Sequence, residues 1–107
     1  MSNLLNKKCI PCSTYMVPLK GEELNQFINQ IEGWIIINEH HLEKEYRFPD
    51  FKTALDFVNK VGDVAEQEDH HPDIYLTWGK VKMGIYTHKI DGLSENDFIL
   101  AAKIDKI

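Results

Sequence analysis

Residues 73 to 86, DIYLTWGKVKMGIY, constrain the fold more than any other stretch of the chain. Two runs rich in strand-forming residues flank Gly79-Lys80, and a glycine leading a two-residue turn suits a type II′ hairpin. With such a turn, cross-strand partners follow one arithmetic rule. Trp78 faces Val81, Leu76 faces Met83 and Ile74 faces Ile85, which makes one apolar face. Thr77 with Lys82, Tyr75 with Gly84 and Asp73 with Tyr86 make the other. Continued past the strands, the register sets His71 opposite His88, where β-carbons of facing residues stand about 5 Å apart. Pro72 lies beside that last pair and can distort it.

The rest of the chain falls into place around this hairpin. Residues 1–18 read as an irregular N-terminal segment, with Pro11 and Pro18 and little periodicity, and residues 19–107 as a single domain. From Gly21, Leu24, Phe27, Ile28 and Ile31 recur at helical spacing, with Glu22 and Glu23 in the first turn and Gly33 as the stop. WIIIN and HLEKEYRF then read as two strands joined by a turn at NEHH. A second helix from about Phe51 carries Phe51, Ala54, Leu55, Val58, Val61 and Ala65 on one stripe. It must end near His70, because Pro72 biases His71 away from helical angles. Ser94 and Asp97 form a capping-box pattern that opens a last helix, with Leu93 and Phe98 at staple positions. The order α-β-β-α-β-β-α predicts an α+β domain, a four-stranded, mainly antiparallel sheet with three helices on one face. Uncovered sheet edges invite another subunit.

Composition excludes several function classes. A chain of 107 residues allows one core, and 43% hydrophobic residues are enough to build it. A formal net charge of -5 argues against a partner recognised through its phosphate backbone, so no nucleic acid is expected. WIII is the longest run of bulky apolar residues, far short of a membrane span. MSNLLNKK lacks the apolar stretch of an export signal, and with two cysteines the expected compartment is a reducing cytoplasm.

Chemistry concentrates in the histidines. His70, His71 and His88 are three of five in the chain, and imidazole both gives and takes a proton near neutrality. Glu66, one helical turn before His70, is placed to orient that ring. Such a set suits removal of a poor leaving group from one atom and a proton from its neighbour, as in loss of water. A zinc site is the rival reading, but adjacent histidines diverge and no specific ligand spacing is present. His40 and His41 sit in a predicted turn and are expected to face solvent. Cys9 and Cys12, in CIPC, lie outside any strand-to-helix junction and read as a reduced pair.

Glu66, His70-His71-Pro72, Trp78, His88 and Asp97 together match, spacing by spacing, the signature of the pterin-4a-carbinolamine dehydratases, and the chain resembles that family from about Leu19 to its end. THKIDGLSENDFILA is also similar to the family's stretch after the last histidine. The resemblance implies dehydration of a 4a-hydroxytetrahydropterin to the quinonoid dihydropterin, in support of an aromatic amino-acid hydroxylase such as phenylalanine hydroxylase. His70, His71 and His88 would be the acid–base set. Glu66 and Asp97 would orient them or bind the pterin, although the helix cap alone also accounts for Asp97. Trp78 matches the aromatic position, while its register on the apolar face favours core packing. No cofactor is implied, since the pterin is the substrate, and the family's habit implies a homodimer or homotetramer. A non-catalytic pterin- or protein-binding module, or a role in molybdopterin metabolism, are the alternatives. Animal members also serve as dimerisation cofactors of a transcription factor, a role that no residue of this chain carries over.

Overall fold

The structure, a computed structural model, describes residues 4–9 and 17–107. Among them are three α-helices, α1 (Glu22–Ile28), α2 (Phe51–Glu68) and α3 (Glu95–Ile104), and four strands, β1 (Ile35–Ile37), β2 (His41–Arg47), β3 (Asp73–Thr77) and β4 (Lys80–Ile85). Short 3₁₀ turns cover Leu4–Asn6 and His88–Ile90. The sheet is antiparallel with order β1-β2-β4-β3, so both hairpins share a central β2–β4 pair.

Alternation along the strands decides which face is covered. Leu42, Val81, Met83 and Ile85 are fully buried against Ala54 and Val61 of α2 and Phe98 of α3. Glu43, Glu45, Lys82 and Gly84 alternate with them and occupy the open face. The stripe on α2 meets the sheet through Ala54, Val61 and Ala65, whereas Phe51 and Leu55 stay largely exposed at its margins. Asp50 starts α2 by accepting the Thr53 N–H at 2.8 Å. α1 is shorter than its periodicity suggests. It ends at Ile28, and the chain tightens into i→i+3 bonds from Gln30 to Phe27 and from Ile31 to Ile28. Ile31 therefore still packs on the core without belonging to the helix.

The β3–β4 register differs from the expected one by two residues. Thr77 pairs with Lys80, Leu76 with Val81, Ile74 with Met83 and Asp73 with Gly84. Trp78 and Gly79 thus form the turn, and Gly79 holds the positive φ, 71°, as its second residue. Its neighbour explains the choice. Phe48 donates its N–H to the Gly79 carbonyl at 2.8 Å, and a β-carbon at Gly79 would stand 3.0 Å from the Phe48 oxygen. That close approach fixes glycine where β2 runs out. A shift of two residues preserves which side chains share a face, but it sets His71, by extrapolation, across from Tyr86 instead of His88. It also leaves Trp78 71% exposed in the turn, not in the core as its expected pairing required.

Part of the N-terminal segment packs onto the domain. Leu4 is buried in the core, and the Cys9 N–H donates to Glu68, which in turn pairs with Lys103 at 2.7 Å. Burial, reinforced by the Glu68 carboxylate, pushes the Cys9 thiol up to about 12. Such a thiol is protonated near neutrality, and it donates to the Asn96 carbonyl at 3.5 Å. Cys12 lies outside the described residues.

Candidate active site

The end of α2 sends its two histidines in opposite directions. Asp69 adopts the left-handed conformation, φ 52°, and the His70 N–H returns to the Ala65 carbonyl. His70 is thereby turned inward, 7% exposed, with Nε2 2.6 Å from Asp97 Oδ1. His71 faces solvent, and its Nε2 pairs with Glu66. Glu66 was expected to orient His70. It orients His71 instead, because the i,i+4 relation fails once the helix ends at Glu68 and the backbone reverses at Asp69.

Asp97 is the hub of the site. Its side chain is fully buried, and its second oxygen accepts the Ser94 N–H at 2.8 Å and the Thr87 hydroxyl at 2.9 Å. Thr87 and Ser94 also share a hydrogen bond at 2.8 Å between their hydroxyls. One carboxylate thus closes the capping box of α3 and also pairs with His70. The network joins three elements: the end of α2, the end of β4 and the start of α3.

Thr87 leads directly into His88. The 3₁₀ turn His88–Ile90 and left-handed Asp91 form a tight loop pinned at its base, where Thr87 donates to the Gly92 carbonyl at 2.8 Å. His88 is exposed, and its ring meets Tyr86 edge-on with centroids 4.3 Å apart. His71 precedes β3 and His88 follows β4, so both lie at the open end of that hairpin. Trp78 occupies the turn at its other end, about 16 Å away along a five-residue strand. Among the described residues no group of three or more His, Cys, Asp or Glu is arranged to hold a metal ion. Chemically, the arrangement offers two solvent-facing imidazoles and a third fixed against a buried carboxylate. Each paired carboxylate sets the ring's orientation and the nitrogen through which it bonds.

A sequence profile described as pterin 4 alpha carbinolamine dehydratase matches residues 17–107. The chain belongs to that family. A dehydratase relative from Alkaliphilus metalliredigens, provisionally so named, is 56% identical over 107 residues, covering 99% of this chain and 96% of that protein. Another, from Rubrobacter xylanophilus, is 51% identical over the full length of both. A crystal structure titled transcriptional coactivator/pterin dehydratase, from Brucella melitensis, superposes with a TM-score of 0.78 at 28% identity, covering 83% of this chain and 96% of that one. The dehydratase family thus accounts for the helix and strand order, which the Brucella protein shares.

One part of this dehydratase-family domain was not expected. His40 and His41, read as solvent-facing, are only 33% and 24% exposed in their side chains. Their Nδ1 atoms lie 3.0 Å apart, while His40 Nε2 pairs with Asp91 at 2.8 Å and His41 Nε2 with Glu43 at 2.9 Å. The His40 ring rests on Tyr86 at 4.5 Å, on the residue that also touches His88. This convergence depends on β2 pairing with β4, which brings His41 beside Tyr86. Reading each hairpin separately cannot reveal it.

Proposed function

We propose that the protein dehydrates a 4a-hydroxytetrahydropterin by histidine acid–base catalysis, in tetrahydropterin recycling beside an aromatic amino-acid hydroxylase. The N5 lone pair forms the new C4a=N5 bond as the C4a–O bond breaks. One imidazolium gives its proton to the departing hydroxyl, which leaves as water, and one neutral imidazole takes the proton from N5. Electrons and protons then balance without any redox partner. His71 and His88 act from the solvent side, and His70 acts from its buried seat. Glu66 orients His71 and Asp97 orients His70.

The observation that carries this reading is the buried Asp97 network, which ties His70 to the segment bearing His88 through Thr87. A carboxylate buried for capping alone has no need of an imidazole on its other oxygen. The test is the ultraviolet decay of enzymatically generated 4a-hydroxytetrahydropterin, with wild type and His88→Ala compared. Turnover is expected to fall by about 10²–10⁴-fold in the variant, the usual worth of a placed acid or base. Its melting temperature should stay close to wild type, because the ring is exposed. Background decay with folded wild type would sink the reading. It would select instead a binding module, for which the exposed Ile35, Tyr75 and Trp78 offer contact surface.

A further inference from the structure

His40 and His41 have no task in the chemistry above, yet they hold the loop that carries His88. At its base that loop is closed by Thr87 and Gly92, which bond to each other in both directions. Behind it Pro18 stands so close that a β-carbon at Gly92 would come within 2.7 Å of the proline ring. On its remaining side His40 pairs with Asp91, the left-handed residue whose N–H closes the 3₁₀ turn onto the His88 carbonyl at 3.2 Å. The His40 ring also lies 4.5 Å from the Tyr86 ring, which lies 4.3 Å from His88. His40 thus reaches His88 through the backbone at Asp91 and through the ring of Tyr86. Its own seat is firm. Asn38 and Glu39 before it are both left-handed, φ 53° and 56°, the His40 N–H returns to the Ile37 carbonyl at 2.8 Å, and Glu39 accepts the Gly21 N–H at 3.1 Å.

Hydrogen bonding fixes how many protons the two rings hold between them. Nε2 of His40 faces Asp91 and Nε2 of His41 faces Glu43, so each of these nitrogens turns its hydrogen toward a carboxylate. Two neutral rings in that tautomer would point lone pairs at each other across the 3.0 Å between their Nδ1 atoms. One further proton converts this repulsion into a bond, with one ring an imidazolium and the other its acceptor. A second further proton would set N–H against N–H. The charges around the pair come from several elements. Glu43 on β2 and Asp91 after β4 are its acceptors, and Lys82 on β4 reaches Glu43 at 3.6 Å, while Asp73 of β3 and Lys80 of β4 line the same face. The hydrogen bond from His41 comes first among the causes that hold the Glu43 carboxyl below the usual range, which keeps it an acceptor.

We propose that His40 and His41 form a singly protonated pair that positions His88 for the reaction. The inference rests on the dehydratase reading and adds to it two positioning residues, which act through His88 and not on the pterin. With one proton between them the rings form an unbroken chain of bonds from Glu43 to Asp91, and that chain ties the β1–β2 turn to the His88 loop.

The experiment joins nitrogen NMR to kinetics. Labelled wild type should show a scalar coupling between the Nδ1 atoms of His40 and His41, which only a hydrogen shared by the two nitrogens transmits. In His40→Ala the ring resonances of His88 should shift as that ring leaves its seat on Tyr86, and kcat should fall by roughly 10- to 100-fold. His41→Ala should act in the same way. His41→Asn places an amide where Nδ1 stood, bonds to His40 without an added proton, and should recover the His88 resonances and most of kcat. In a His88→Ala background, His40→Ala should cost no further activity, because its effect passes through the missing ring. Absence of the coupling, unmoved His88 resonances in His40→Ala, no recovery in His41→Asn, or a full additional loss in the His88→Ala background would each overturn the proposal. Turnover without the coupling removes the pair and leaves the dehydratase. The coupling and the His88 shift without turnover keep the pair's hold on His88 and remove the dehydration.

Discussion

At the scale of the residue, Asp97 shows what local sequence can and cannot reveal. Its cap was legible from LSEND, because a capping box needs only two residues three apart. Its bond to His70 was not, since 27 positions separate them and the left-handed Asp69 decides which histidine turns inward. Glu66 was misassigned to His70 for the same reason. The double role gives Asp97 a larger stability effect than a cap alone. Asp97→Ala strips partners from a buried N–H, a buried hydroxyl and a buried imidazole at once. Urea unfolding should report a loss of about 3 kcal/mol, against about 1 for an ordinary cap. A loss of 1 kcal/mol or less would mean that the network contributes little beyond the helix start.

Elements were read better than their joints. Among the described residues, periodicity and the Ser94–Asp97 cap found the three α-helices and four strands, and Pro72 placed the end of α2 to within two residues. The β3–β4 register came out two residues off because the turn depends on Phe48, a neighbour in space just past the end of β2. The docking of the N-terminal segment was equally invisible, being set by Glu68 near the end of a helix far along the chain. Glu68 carries a testable pH dependence. Burial alone would raise its carboxyl, but the Lys103 ammonium and the Cys9 N–H more than offset this and leave it below the ordinary range. A carboxylate depressed in the folded state contributes stability that is complete above its unfolded value, about 4.3. The contribution disappears as pH falls through the lower, folded value. Glu68→Gln should therefore be less stable than wild type at pH 7, by about 2 kcal/mol, and the two unfolding curves should converge once pH has fallen below the folded value. A gap of equal size at both pH values would show that shape, and not charge, matters there.

For the whole molecule, β1 and β3 are the sheet's edges among the described residues, with Ile35, Ile74 and Tyr75 exposed on them and Trp78 exposed in the turn after β3. We propose self-association through an edge, so that sedimentation should return a mass of two or four times 12.4 kDa. Tyr75→Asp, on β3, should shift the population toward monomer, and a monomeric wild type at micromolar concentration would refute the idea. The Asp97 hub carries a different consequence, for how variants of this protein would sort in a mutational scan. Scored separately for cellular abundance and for turnover per folded molecule, His88 substitutions should fall along the second axis alone. Asp97 substitutions should fall along both, because the bond that begins a helix and the bond that holds a histidine end on one side chain. On the dehydratase reading, selection on this position would weigh fold and turnover together, since a single substitution would reach both.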